Sequence, residues 1–256
     1  MTLSGGVTMK VVYHEDFTQS YCSDPAAAPG RIEAVVKAIR NRVTFVEAIP
    51  ANEEDIAAVH TQSHINRVKS DAIYDIAALA AGGAIQAAET GLQEPCFALI
   101  RPPGHHASEG SAWGFCYFNN MAIAVEKLKR ESRIQNALIL DIDLHFGDGT
   151  VNILEGNGYV TIYNPSASHA GAYLKNVKDF LFSLKADIIG VSAGFDNHAE
   201  DWGGLLSTED YREIGGLVRK ASKMHGGGCF GILEGGYNHR VLGQNVMAFS
   251  EGVEGS

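Results

Sequence analysis

Asp141, Asp143 and His145 alternate with the apolar residues Ile142, Leu144 and Phe146. At the two-residue period of a β-strand, the three polar groups share one side. Two carboxylates and an imidazole so placed are costly unless something neutralises them, and a divalent cation would. Asp143 and His145 offer oxygen and nitrogen, both acceptable zinc ligands, and Asp196 is the candidate to complete a three-ligand site. Catalytic zinc typically keeps three protein ligands and an open position for water. Taken alone, the triplet reads slightly better as an Asp and a His held by backbone donors and other side chains. Other polar clusters along the chain tip the reading towards a metal.

His105 and His106 are adjacent and follow Pro102-Pro103-Gly104, a rigid turn. Neighbouring histidines on a turn can aim both rings at one pocket, each oriented by its own carboxylate. Asp141 and Asp148 are available for that role, since neither is needed as a ligand. A carboxylate on one ring nitrogen fixes the tautomer and raises the basicity of the other. Such a histidine can take a proton from water or give one to a leaving amine. Tyr237 follows Gly235-Gly236, and its phenol is placed to donate to the oxyanion of a tetrahedral intermediate. Without the other residues, simple packing explains Tyr237 equally well. Gly114 and Phe115 are candidates to line an apolar access channel, while most of the other aromatic residues of 112–120 read as core.

The elements that must position these residues are legible as short apolar runs between longer amphipathic ones. Strands are expected at Lys10–Tyr13, Cys96–Ile100, Ala137–Ile142, Tyr159–Tyr163, Asp187–Ser192 and Cys229–Leu233. Several are continuously apolar, as parallel strands buried on both faces are. Helices are expected at Arg31–Arg40, Ile73–Thr90 (interrupted by Gly82-Gly83), Asn120–Arg130, Tyr173–Leu184 and Thr208–Lys223, with a weak capping box at Thr208. This alternation means an α/β, single-domain, open and mostly parallel β-sheet flanked by helices. Four of the strands run into polar clusters, at 101–106, 141–145, 193–196 and 234–237. Ligands of open parallel sheets bind outside the carboxyl ends of the strands, so these clusters point to one crevice.

Composition narrows the partners. The net charge is −10, from 20 basic and 30 acidic side chains, which argues against nucleic acid, whose binding rests on cationic contacts to phosphate. It suits a cationic substrate, although solubility explains the charge more simply. The four cysteines are scattered, with no CxxC pair, and Cys96 and Cys229 fall in apolar runs where a thiol acts as a small hydrophobe. No signal peptide and no membrane-length apolar stretch is present, so a cytoplasmic location is expected. Residues 1–9 read as a flexible start, with Met9 a possible alternative initiator.

Together the stretches RPPGHHA (101–107), GFCYFNN (114–120), DIDLHFGDG (141–149), GVSAGFDNH (190–198) and LEGGYN (233–238) resemble the histone deacetylase superfamily. That group includes acetylpolyamine amidohydrolases and bacterial deacetylase-like amidohydrolases. The resemblance covers nearly the whole chain from about Lys10, and it implies the arginase/deacetylase fold. It implies zinc (or iron(II)) on Asp143, His145 and Asp196. His105 and His106 become a general base and acid pair backed by Asp141 and Asp148 respectively. Tyr237 polarises the carbonyl, and Gly114 and Phe115 line an acyl-lysine tunnel. A structural potassium ion near the DxDxH strand is also implied. The substrate expected is an acylated amine: acyl-lysine first, with acetylpolyamine or a small N-acyl metabolite as alternatives. The oligomeric state stays open.

Departures from the family pattern bear on the substrate. Phe146 stands where many relatives carry a second histidine, and 24–31 is a degraded form of the usual HPERPER stretch. The segment between Tyr163 and Leu184 is short and lacks the glycine-rich PGTG loop that supplies the second aromatic wall of the tunnel. The acidic rim residue of some relatives has no counterpart near Ser70–Tyr74. A wider, shallower entrance for bulky or unusual N-acyl groups is expected. Two rivals remain in view. A dimanganese ureohydrolase needs aspartates where Gly147 and His198 stand. A catalytically weak acyl-ligand-binding module would be expected to have lost a ligand, a histidine or Tyr237, and none is missing. Trp202, near the position of an acidic gatekeeper in some polyamine-selective relatives, weakly disfavours a polyamine substrate.

Overall fold

The computed structural model describes residues 9–255. The flexible start expected over residues 1–9 therefore lies outside the described residues except for Met9. Met9 itself is buried, and its N–H donates to Glu254 Oε1 at 2.6 Å.

Seven parallel strands form one sheet: β1 (Lys10–Tyr13), β2 (Thr44–Glu47), β3 (Cys96–Ala98), β4 (Ala137–Asp141), β5 (Val160–Tyr163), β6 (Ile188–Ala193) and β7 (Gly228–Leu233). Their order across the sheet is β2-β1-β3-β7-β6-β4-β5. The central strands β3, β4, β6 and β7 are buried at every residue, which is why they read as unbroken apolar runs.

Nine helices complete the described residues: α1 (Arg31–Ile39), α2 (Glu53–Ala57), α3 (Gln62–Ser70), α4 (Tyr74–Gly91), α5 (Asn120–Arg130), α6 (Asp148–Leu154), α7 (Ala170–Leu181), α8 (Thr208–His225) and α9 (His239–Glu254). Helices α1, α9, α8 and α7 pack side by side as one layer, and α4 and α5 form another. Side chains alternate accordingly. A side chain at Gly190 would meet Met121 of α5, whereas one at Gly231 would meet Phe249 of α9.

All six expected strands and all five expected helices are present, with ends displaced by up to a few residues. Helix α4 is continuous through Gly82-Gly83, where an interruption was expected. The reason is packing: a Cβ on Gly82 would lie 1.9 Å from the Ile49 carbonyl oxygen, so glycine lets the helix approach that loop. The capping box of α8 exists one residue earlier than expected, as Ser207 with Asp210. β2, α2, α3, α6 and α9 were not anticipated.

For function the decisive feature is order. The four strands that end in polar clusters, β3, β7, β6 and β4, are consecutive neighbours in the middle of the sheet.

Candidate active site

From these four strand ends the structure gathers every candidate into one crevice. At the end of β4, Asp143, His145 and, from the end of β6, Asp196 set one ligand atom each within 4.8 Å of one another. His145 Nδ1 lies 3.0 Å from Asp143 Oδ1 and 3.1 Å from Asp196 Oδ2. The other carboxylate positions are occupied by backbone donors. Gly235 N–H donates to Asp143 Oδ2 at 2.8 Å, and Leu144 N–H donates to Asp196 Oδ1 at 3.0 Å.

Burial raises the Asp196 carboxyl to about 6, helped by the neighbouring Asp143. For Asp143, burial acts upward too, but the charge of His105 and hydrogen bonds from His145 and Gly235 hold it below the usual range. Paired hydrogen bonds to Asp143 and Asp196 lift His145 to about 10. A proton is thus doing what a cation would do between two buried carboxylates. Asp196 Oδ2 is buried, and its one polar neighbour is His145 Nδ1 at 3.1 Å. An oxygen–nitrogen–oxygen donor set with a buried carboxylate oxygen fits a divalent metal of the zinc type.

The histidine pair stands beside this cluster. His105 Nδ1–H donates to Asp141 Oδ2 at 3.0 Å, which leaves Nε2 facing Asp143 Oδ1 at 3.9 Å. His106 Nδ1–H donates to Asp148 Oδ1 at 2.7 Å. The two environments differ. Burial pulls His105 down, but Asp141 and Asp143 overcome it and hold the imidazole well above its ordinary pKa. Burial, with the neighbouring charge of His105, pulls His106 down to about 4.

Gly114 sits directly over His106, with φ +59 and no room for a side chain, since a Cβ would lie 2.3 Å from His106 Cδ2. Phe115 follows and meets Tyr237 edge to face at 6.0 Å between ring centroids. Tyr237 leaves the end of β7 on a loop held from below: its own N–H and that of Asn238 both donate to Asp201 Oδ2, at 2.8 and 2.7 Å. Burial raises the phenol well above its ordinary pKa, so it stays protonated and can donate.

Four contributors escaped sequence reasoning. Trp113 is not core, as the reading of 112–120 expected. It is 56% exposed, stacks on His106 at 3.9 Å, and donates Nε1–H to Asp148 Oδ2 at 2.9 Å. Trp202 stacks on Tyr237 at 4.0 Å and meets His145 edge to face at 6.0 Å. Taken in turn, Trp113, His106, His145, Trp202, Tyr237 and Phe115 form an open collar of ring contacts that includes His145 of the cluster. Asp201 anchors the Tyr237 loop. Glu234, fully buried, accepts from Gly104 N–H at 2.7 Å and His105 N–H at 3.3 Å, pinning the histidine turn to the end of β7. The signal for Glu234 was present as the acid inside LEGGYN, while Asp201 lies three residues past GVSAGFDNH and the tryptophans showed only their proximity to glycine.

A cation-type site with two histidine–carboxylate pairs, at the carboxyl end of a parallel sheet, defines a metal-dependent hydrolase of the deacetylase kind. The chain belongs to the histone deacetylase family: the histone deacetylase domain matches residues 26–173. A probable deacetylase of Methanothermobacter thermautotrophicus is 31% identical, over 88% of this chain and 85% of that protein. Similarity extends to the histone deacetylase-like amidohydrolase of Pseudomonas aeruginosa, 28% identical over 86% of this chain and 73% of that one. It also extends to the mouse polyamine deacetylase HDAC10, 28% identical over 92% of this chain and 46% of that one. The fold is that of the HDA15 HD domain crystal structure, with TM-score 0.81 at 24% identity, covering 97% of this chain and 90% of the other. The archaeal alignment runs over 284 residues, more than the 256 of this chain, so that relative carries segments with no counterpart here. Membership makes the chain a deacetylase-type amidohydrolase of a metal-dependent family. Among the described residues, no helix is long and apolar enough to cross a membrane.

Proposed function

We propose that this protein is a zinc-dependent amidohydrolase that removes an acetyl or other acyl group from an amine, with acyl-lysine, acetylpolyamine and small N-acyl metabolites as the competing substrate classes. The observation that carries this reading is the convergence of the Asp143–His145–Asp196 cluster with both histidine–carboxylate pairs and Tyr237. Asp143, His145 and Asp196 would hold the ion, and zinc at such a site supplies Lewis acidity towards a carbonyl and lowers the pKa of water.

The chain's own groups do the rest. His106, kept neutral by burial and by the charge of His105, takes the proton of the attacking water while Asp148 fixes its tautomer. His105, which retains its proton against Asp141, supplies positive charge beside His106, and the proton taken up by His106 passes to the leaving amine as the C–N bond breaks. Tyr237 donates its hydroxyl to the developing oxyanion. Gly114 and Phe115 bound the acyl-amine on one side of the collar and Trp202 bounds it on the other.

Metal-stripped protein with zinc added back, assayed on acetyl-lysine, trifluoroacetyl-lysine and longer acyl-lysine peptides and on N-acetylputrescine, tests the reading. Zinc-dependent turnover that Tyr237→Phe abolishes supports it. A protein that binds one zinc per chain yet cleaves nothing in the panel refutes the acyl-lysine and polyamine assignments.

A further inference from the structure

A cavity of about 510 Å³ lies against the outer flank of His145, with Asp143 and His145 in its wall. Opposite them runs the link from β5 to α7, residues 164–169. Beside this short link the His145 side chain reaches solvent, at 37% exposed, while Asp143 behind it is buried. Leu144 and Phe146 line the cavity and remain 38% and 59% exposed. The polar part of the lining comes from Asn164, Ser166, Ser168 and Asn197. Apart from the ligands Asp143 and His145, no charged residue lines it.

We infer that this cavity is the subsite for the amine-bearing part of the substrate. It takes a bulky, uncharged group with one apolar and one hydrogen-bonding face, carried within one or two carbons of the scissile nitrogen. The inference rests on the amidohydrolase reading and names its substrate class.

Three features carry it. The volume is that of a small-molecule site and far exceeds what a single methylene chain fills. The cavity reaches the exposed edge of His145 from the side, so an amide need not sit at the end of a long chain to approach it. The lining offers amides, hydroxyls and two exposed apolar side chains but no spare carboxylate, so an ammonium placed there would lose hydration without gaining a partner. A lysine side chain or a polyamine would leave the cavity unfilled or mismatched.

The test uses zinc-loaded protein and N-acetyl amides that carry a benzamide head group on linkers of one to four methylenes. A parallel pair replaces the head group with an ammonium, and trifluoroacetylated methylamine serves as the minimal amide. The kcat/KM is expected to fall at least tenfold from the one- to the four-methylene linker, and at least tenfold for the ammonium pair. In Ser166→Trp and Ala167→Phe, which fill the cavity from its outer wall, the ratio of head-group to minimal-amide kcat/KM should drop at least tenfold at unchanged zinc content. Equal or reversed linker preference, or an unchanged ratio in both variants, overturns the inference. Calorimetric binding of the amine products keeps the two readings separable. If no amide is cleaved, the amidohydrolase reading fails, while tenfold weaker product binding in Ser166→Trp still supports the subsite and equal binding rejects it.

Discussion

Trp202 lies face to face on Tyr237, with ring centroids 4.0 Å apart and 23° between the planes. The indole backs the phenol, and Phe115 meets the same ring edge to face. Asp201 ties the same two loops together beneath. An aromatic stack of this kind contributes about 1 kcal/mol beyond area burial. Trp202→Ala should therefore lower kcat by about fivefold through a less well-held Tyr237, and Trp202→Phe should recover most of the loss. Steady-state kinetics on one amide substrate checks both; equal kcat in Trp202→Ala and the native protein would separate the stack from the chemistry.

Removing the Tyr237 hydroxyl should be far more severe. An oxyanion donor accounts for on the order of a hundredfold or more in turnover, so Tyr237→Phe should lose at least that much kcat. Its zinc content, read by elemental analysis, should equal that of the native protein, because the phenol is not among the ligand atoms.

Asp196 is the candidate ligand whose Oδ2 is buried with His145 as its one polar neighbour. Asp196→Asn keeps the shape but removes the charge, and should cut bound zinc well below one per chain after dialysis. Chelation of the native protein should abolish turnover, and added zinc should restore it. Full metal content in Asp196→Asn would relocate the ion.

His60 offers a pH signature away from the site chemistry. Its ring is buried, with Nδ1–H donating to the Ser108 carbonyl at 3.0 Å and Nε2 accepting from Asn119 N–H at 2.9 Å. Burial, with the nearby His64, pulls its pKa from 6.5 to about 4. The unfolded chain thus binds a proton that the folded one refuses, so this contribution is complete above pH 6.5 and is lost as pH falls towards 4. Across that window it amounts to about 3 kcal/mol. Urea midpoints between pH 7.5 and 4.5 should fall more steeply in the native protein than in His60→Gln. Parallel slopes would contradict the assignment.

The sheet was legible because β3, β4, β6 and β7 bury both faces and end abruptly in Gly, His, Asp or Tyr. The candidate ligands and the histidine pair followed from the same contrast. β2 was missed because it is a half-exposed edge strand, TFVE, with polar ends. α9 was missed because Gly243 and Gly252, which let it pack against α1 and α8, dilute its apolar stripe. Trp113 and Trp202 defied the sequence for another reason. Large aromatic residues usually fill cores, whereas these two stay 56% and 53% exposed and are held by ring contacts to His106 and Tyr237.

β7 is the last strand along the chain, at Gly228–Leu233, yet it lies between β3 and β6 in the middle of the sheet. Until it inserts, β2-β1-β3 and β6-β4-β5 are two separate ribbons with raw inner edges, a state prone to pair with other chains. The same strand delivers Glu234 to the histidine turn, 130 residues earlier in the chain, and carries Tyr237 just beyond. Closure of the sheet and assembly of the candidate site are thereby one event: a copy that ends before residue 228 has both ribbons and no strand to join them.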